Sequence, residues 1–247
     1  MHNKRLSAGS LNLRDSQQRT RPTICNRNDL DSAKDYQEVN MLRDYQTSDF
    51  DDCIAIVDQV WDFSNRFQPQ SLVELFLKIY VGGSLAASNF AAVCEEEGIV
   101  KGFLFGNSGR LGLYETEYSG FWGNLAFLRQ FLLLKGVPLK KKLFYLKIIG
   151  KHEQARTRIE SSRDNEVNLF AVAPNTQGKG FGKLLMNEYI TFCQNNNARR
   201  ITLETDKECN YKFYEHFGFT IKGEFYSALQ KEYSGKSGDS FVYELIL

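Results

Sequence analysis

The chain has little of what several function classes require. Histidine occurs three times, as His2, His152 and His216, and none is paired at metal-ligand spacing, which argues against a metalloenzyme. The five cysteines, Cys25, Cys53, Cys94, Cys193 and Cys209, are odd in number and scattered. They form no C-x-x-C pair, which argues against a disulfide framework and a zinc site and makes a reducing cytoplasm the simplest setting. No apolar run approaches the ~20 residues that span a bilayer. Neither sign of charge dominates: 31 Lys and Arg against 30 Asp and Glu leave a formal +1. Bulk charge therefore offers no argument for nucleic acid or an anionic membrane as partner. What remains, 42% hydrophobic and 25% charged residues, is ordinary globular material. Its length suits one large domain, or one domain with an insertion.

The informative stretch runs from Asn168 to Met186, NLFAVAPNTQGKGFGKLLM. An apolar strand, Leu169 to Ala173, meets a turn at Pro174, and Gly178, Gly180 and Gly182 lead into a helix. Such a loop gathers backbone N–H groups at a helix N-terminus, where the macrodipole favours negative charge. It reads as a pyrophosphate cradle. It is not a Walker loop, because Gly182 and Lys183 are followed by Leu184 rather than Ser or Thr. A nucleotide-binding protein is disfavoured on that ground. Nor is it a dinucleotide fingerprint, because the spacing is G-x-G-x-G and comes late in the chain.

What is left is Q-x-x-G-x-G, Gln177, Gly180 and Gly182, behind a V-x-P ending at Pro174. This resembles the acyl-CoA-binding motif of the GNAT family, the Gcn5-related N-acetyltransferases. Downstream, Asn210 to Phe219 resembles the family's F-Y-x-x-x-G-F segment, with Tyr214 matching the tyrosine that faces the CoA sulfur in many members. The resemblance covers roughly residues 41–247 and is specific from Glu166 to Phe219. One departure is that the Asn often found seven positions before the Tyr is Lys207 here; Asn210 stands four before it. The resemblance implies an α/β (α+β) fold: a mixed, mostly antiparallel sheet of about 6–7 strands, with strands 4 and 5 splayed, flanked by helices.

Taken in order, residues 1–38 are polar and aperiodic and read as a disordered tail. A transit peptide and an alternative start at Met41 are the other readings. Residues 39–247 form the domain. A strand at Val39 to Tyr45 precedes a helix opened by Thr47 to Asp49, and a second helix runs from Pro69 to about Val81, ended by Gly82-Gly83-Ser84. Asn89 to Glu95 and Gly98 to Gly106 form a hairpin. Residues 107–165 exceed what the family core needs and read as a helical insertion, with helices at Phe121 to Lys135 and Leu139 to Ile149. It is a lid over the amine cleft, or a packed satellite or dimer contact. Then come the fourth strand, Val167 to Ala173; a helix from Gly182 to about Asn195; the fifth strand, Arg200 to Glu204; and a short helix at Asn210 to Phe217. A final antiparallel pair, Phe219 to Tyr226 and Phe241 to Leu247, is joined by a flexible linker at Tyr233 to Asp239.

The resemblance implies acetyl-CoA as co-substrate, without metal, and direct transfer to a primary amine in a ternary complex. Cofactor contacts fall on Phe170, Ala171, Val172, Gln177, Gly178, Lys179, Gly180, Phe181, Gly182, Lys183, Asn210 and Tyr214, with the Val172 N–H as oxyanion donor. Tyr214 is the candidate general acid, against a plain core tyrosine. Glu166 is the candidate base, against a surface carboxylate; even spacing along a strand puts it on the face of Val172. Nothing in the sequence activates Cys209. Trp61, Phe63, Phe67, Tyr114 and Tyr118 are candidate acceptor contacts, against packing residues. The acceptor is a small amine or a peptide amine, and a homodimer is open because family members often dimerise. An idle acyl-CoA-binding regulatory module on the same fold is the alternative.

Overall fold

A computed structural model describes residues 41–176 and 178–247. The expectations for the stretch before Met41 and for Gln177 lie outside the described residues. Seven strands build one sheet: β1 Leu42–Asp44, β2 Phe90–Glu96, β3 Ile99–Gly106, β4 Glu166–Val172, β5 Arg200–Asp206, β6 Thr220–Tyr226 and β7 Asp239–Ile246. Their order is β1-β2-β3-β4-β5-β7-β6, and every neighbouring pair is antiparallel except β4 with β5. The β2–β3 hairpin turns on Glu97 and Gly98, both at positive φ (55° and 75°), the conformation that matches strand twist in a two-residue loop. Phe90 to Cys94 and Phe103 to Phe105 are buried on both faces, so the centre of the sheet is covered on both sides.

Two irregularities in β4 position everything near it. First, Phe105 faces Leu169 but Gly106 faces Val167, so Asn168 is an extra residue in the strand. Its side-chain amide donates to the Ala87 carbonyl (3.0 Å) and to Ser88 Oγ (2.8 Å). Beyond the bulge, Leu169, Ala171 and Ala173 pack on one face, and Phe170 and Val172 on the other with Val167. Even spacing therefore fails across Asn168, and Glu166 does not share the face of Val172. Second, β4 and β5 pair only at Glu166–Thr202 and Val167–Leu203. After that β5 continues beside β7 to Asp206 while β4 continues beside β3, and the sheet opens between them.

The helices are α1 Phe50–Trp61, α2 Phe63–Arg66, α3 Gln70–Ala86, α4 Gly120–Leu133, α5 Leu139–Ile159, α6 Phe181–Asn195, α7 Lys212–Glu215 and α8 Ala228–Ser234. α1 and α3 cover the Leu169 face and α6 the Val172 face. α1 follows a 3₁₀ turn in which the Gln46 N–H donates to Asp49 Oδ2 at 2.7 Å. Among the described residues no helix is long and apolar enough to cross a membrane.

Three expectations need correction. Gly82 and Gly83 do not end α3, which runs through them to Ala86. A Cβ at Gly82 would lie 2.1 Å from the Tyr118 ring, so this glycine makes room for a side chain rather than breaking the helix. α5 continues ten residues past Ile149, to Ile159, because its buried positions Tyr145, Ile148 and Arg156 keep helical spacing. The linker expected at Tyr233 to Asp239 starts two residues later, because α8 takes in Tyr233 and Ser234; the helix is capped by Ser227, whose hydroxyl accepts the Gln230 N–H at 2.9 Å.

The two helix glycines are expected to respond oppositely to alanine. Gly82→Ala displaces the Tyr118 ring and lowers stability by ~1–2 kcal/mol. Gly83→Ala meets no atom within 4 Å and gains ~0.5–1 kcal/mol of helix propensity. Urea unfolding midpoints of the two variants measure both effects.

Candidate active site

The cradle follows directly from the end of β4. The Ala173 N–H donates to the Lys101 carbonyl (2.8 Å), and a 3₁₀ turn at Pro174–Thr176 is closed by Thr176 Oγ1 donating to the Ala173 carbonyl (2.8 Å). Gly178 and Gly180 then take φ of 85° and 89°, a region L side chains avoid, and Gly180 becomes the N-cap of α6. A Cβ on Gly182 would press on the rings of Phe170 and Phe213 at 3.3 and 3.4 Å. The first-turn N–H groups of Phe181, Gly182 and Lys183 have no acceptor within their own helix, and they stand at its positive end. Lys183 is exposed, and Lys179 is ion-paired with Glu96 at 2.8 Å, which ties the loop to β2. These groups fit a phosphate.

The opening between β4 and β5 lies beside this loop. Because the Ala173 N–H points at β3, strand alternation turns the N–H groups of Val172 and Phe170 the other way. They face the opening at positions where β5 no longer pairs. An unpaired edge inside a sheet accepts an extended ligand as an added strand. Tyr214 borders the opening on the α6 side, its ring 6.3 Å from Phe170, 6.1 Å from Phe219 and 6.4 Å from Tyr243. From there its hydroxyl is in electrostatic reach of Cys209, Tyr80 and Asp206. Tyr80, on α3, approaches from the opposite face and is in reach of Glu204, Cys209 and Asp206. Burial pushes both phenols above their ordinary range, so both keep their protons. Tyr80, Tyr214 and Tyr233 are half-buried.

On the α3 side of the opening stands a pair that the motifs did not indicate. Glu204 projects from β5, and its Oε1 lies 3.3 Å from His152 Nε2 on α5. His152 Nδ1 is 2.9 Å from the hydroxyl of Ser227, which is fully buried. With Ser227 donating to Nδ1, Nε2 carries the proton that faces Glu204. Burial pulls the imidazole pKa down, but the Glu204 carboxylate outweighs it and the net direction is upward. A signal for Glu204 was present: Ile201 and Leu203 alternate with Thr202, Glu204 and Asp206, which marks a polar face on β5. His152 carried no local signal, because α5 reaches the site only through tertiary packing.

Glu166 is placed elsewhere. It is 3% exposed, and its Oε1 accepts from Arg156 at 2.6 Å and from Arg163 at 3.1 Å. Arg163 also reaches Oε2, at 3.3 Å, and Arg156 is itself fully buried. Burial raises the carboxyl pKa, and the Arg163 and Arg156 guanidinium groups oppose that shift. Both oxygens are engaged within the fold, so the expected base is held by an ion-pair network on the face opposite Val172. Cys209 Sγ donates to Asp206 Oδ2 at 3.2 Å, and burial together with that carboxylate pushes the thiol up to about 12. It is not an activated nucleophile.

The five aromatic candidates do not converge. Phe63 is 1% exposed and packs at 5.6 Å on Tyr233 of α8, and Phe67 joins the same ring at 6.1 Å. Trp61 meets Tyr80 edge-on at 6.1 Å. Tyr114 and Tyr118 instead line a separate cavity of about 500 Å³ with Tyr45, Phe50 and Gly82. Asn210 is exposed, and its carbonyl accepts the Phe213 N–H at 3.0 Å. Among the described residues no group of three His, Cys, Asp or Glu could hold a metal ion.

The mixed sheet of seven strands flanked by helices is the acyl-CoA N-acyltransferase fold of GNAT proteins. The resemblance in the motifs is shown: residues 148–219 match the Acetyltransferase (GNAT) family. Similar solved structures include PH1933 from Pyrococcus horikoshii OT3, 14% identical, covering 83% of this chain and 97% of that one, at a TM-score of 0.52. Ard1 from Thermoplasma volcanium is 16% identical, covering 83% and 96%, at 0.46. A ribosomal-protein-alanine N-acetyltransferase from Brucella melitensis is 15% identical, covering 84% and 99%, at 0.47. No curated protein matches the chain.

Two measurements test the charged groups. Glu166→Gln leaves the Arg156 guanidinium buried without its counter-charge, and the expected loss is ~3 kcal/mol in urea unfolding. For His152, the folded pKa lies above its unfolded value of ~6.5, so the stability it adds is fully present below that pH. This contribution fades as pH rises through the folded value. His152→Gln is expected to flatten that part of the curve of unfolding midpoint against pH.

Proposed function

We propose that the protein is an N-acetyltransferase that uses acetyl-CoA and transfers the acetyl group directly to a primary amine. The observation that carries this reading is the opening of the sheet beside the cradle, with the Tyr214 hydroxyl at its edge. Residues 39–247 then act as one domain, in which the helical segment within 107–165 walls the acceptor side and delivers His152.

Bound acetyl-CoA supplies the thioester carbon; a C–N bond forms to the amine, the C–S bond breaks, and CoA leaves as its thiol. The α6 N-terminus, with Gly178 to Lys183, holds the diphosphate. The Phe170 and Val172 amides hold the pantetheine arm, and the Val172 N–H faces the carbonyl oxygen as it gains charge. Tyr214 donates the proton that the departing sulfur takes up. Glu204, held by His152 Nε2–H, accepts the proton that the amine nitrogen releases; Glu166 is not assigned this role because two arginines occupy its oxygens. Tyr80 and the aromatic cluster around Tyr233 border the acceptor, which suits a small amine or a peptide amine.

A thiol-release screen with acetyl-CoA against amines, polyamines, amino acids and peptides tests the reading. Tyr214→Phe is expected to lower kcat ~100-fold or more while leaving CoA affinity nearly unchanged. Glu204→Gln is expected to lower kcat ~100-fold while leaving CoA affinity nearly unchanged. Binding of CoA without turnover of any amine would favour an idle acyl-CoA-binding module, and failure to bind CoA would overturn both readings.

A further inference from the structure

The overall charge of +1 conceals a strong segregation. Residues 118–152 carry seven Lys and Arg and no Asp or Glu. They include the α4–α5 hairpin, whose outer surface is also apolar. Leu125, Leu132 and Leu133 are exposed on α4, and Leu139, Leu143 and Phe144 on α5; Leu133, Leu139 and Leu143 stand 68%, 63% and 54% open. Interleaved with them are exposed Arg129, Lys135, Lys140 and Lys147. The inner side of the hairpin packs on the domain, Phe127, Phe131, Tyr145 and Ile148 clustering with Leu72 of α3 and Leu229 of α8, and buried Lys142 donates to the Leu132 and Leu134 carbonyls at 2.7 and 2.6 Å. The end of α4 is thereby satisfied from within, and its outward leucines face solvent.

We propose that the α4–α5 hairpin seats the protein on an anionic lipid surface, with its leucines and Phe144 among the acyl chains and its cations at the headgroups. Charge selects this occupant. Leucine and phenylalanine interleaved along a helix with Lys and Arg, and with no acidic residue on the same helix stretch, are the pattern of a helix that lies in a charged bilayer interface. A two-fold contact between copies of this chain would set cations against cations. The near-zero total charge gave no argument for an anionic membrane because it averages over the chain what the fold keeps apart. α5 extends from the patch to His152, so the acceptor side of the opening stands ~20 Å along the helix from Leu139.

The test is co-sedimentation of the full chain with phosphatidylcholine vesicles, with and without phosphatidylserine. Binding is expected only to the phosphatidylserine vesicles, and less at high ionic strength. Lys140→Glu with Lys147→Glu is expected to weaken it ~10-fold or more. Leu133→Ser with Leu143→Ser should weaken it by a similar factor of ~10, while thermal unfolding and CoA binding without vesicles stay as in the parent. Equal binding to both vesicle types would overturn the proposal. So would no binding to either, self-association through the hairpin, or capture of polyglutamate without capture of vesicles. Because the readout is sedimentation, it stands or falls independently of the acetyltransferase reading.

Discussion

Everything around the candidate site depends on one constraint: β4 stays hydrogen-bonded to β3 along its length but to β5 for only two residue pairs. A sheet that loses a ladder in its middle leaves strand N–H and C=O groups without partners, which is costly unless something else pairs with them. The fold concentrates this cost at Phe170 and Val172, beside the glycines that open α6. The departing strand is not left loose, since β5 pairs with β7 from Arg200 to Asp206. Two hydrogen-bonded half-sheets therefore flank the opening, and side chains from both faces meet there.

The bulge at Asn168 works together with this opening. Asn168 is anchored to the end of α3 through Ala87 and Ser88, so the extra residue is held in place. It reverses the facing of the strand within one step. Phe170 and Val172 thus turn to α6 and Tyr214, while Glu166 turns to α5 and its arginines. A carboxylate with two guanidinium partners, Glu166, braces the strand entry; Glu204 has a single imidazole partner and a quarter of its side-chain surface open.

α5 unites these features. Arg156 braces β4, His152 holds Glu204 on β5, and Tyr145 packs in the cluster with Leu72 and Leu229. Its outward N-terminal half carries the cationic and leucine-rich surface. One helix thus spans the distance from the opening between β4 and β5 to the proposed lipid contact. Tyr233 of α8 plays a smaller version of the same part, gathering the rings of Phe63, Phe67 and Phe76 around its own.

Local signals were legible where the chain's chemistry is local. The glycine loop, the strand before it, the helix after it and the Tyr214 segment could all be read because turns, caps and positive-φ glycines are properties of neighbouring residues. The mixed sheet followed from the family that those motifs resemble. Tertiary structure decided the rest. It carried α3 through Gly82, where the ring of Tyr118, thirty-six positions away, needs the space. It set the bulge that changes the facing of Glu166, and it brought His152, Glu204 and Ser227 together from three separate elements. No sequence period registers a one-residue slip or a contact between distant helices and strands; both arise only when packing selects a single register.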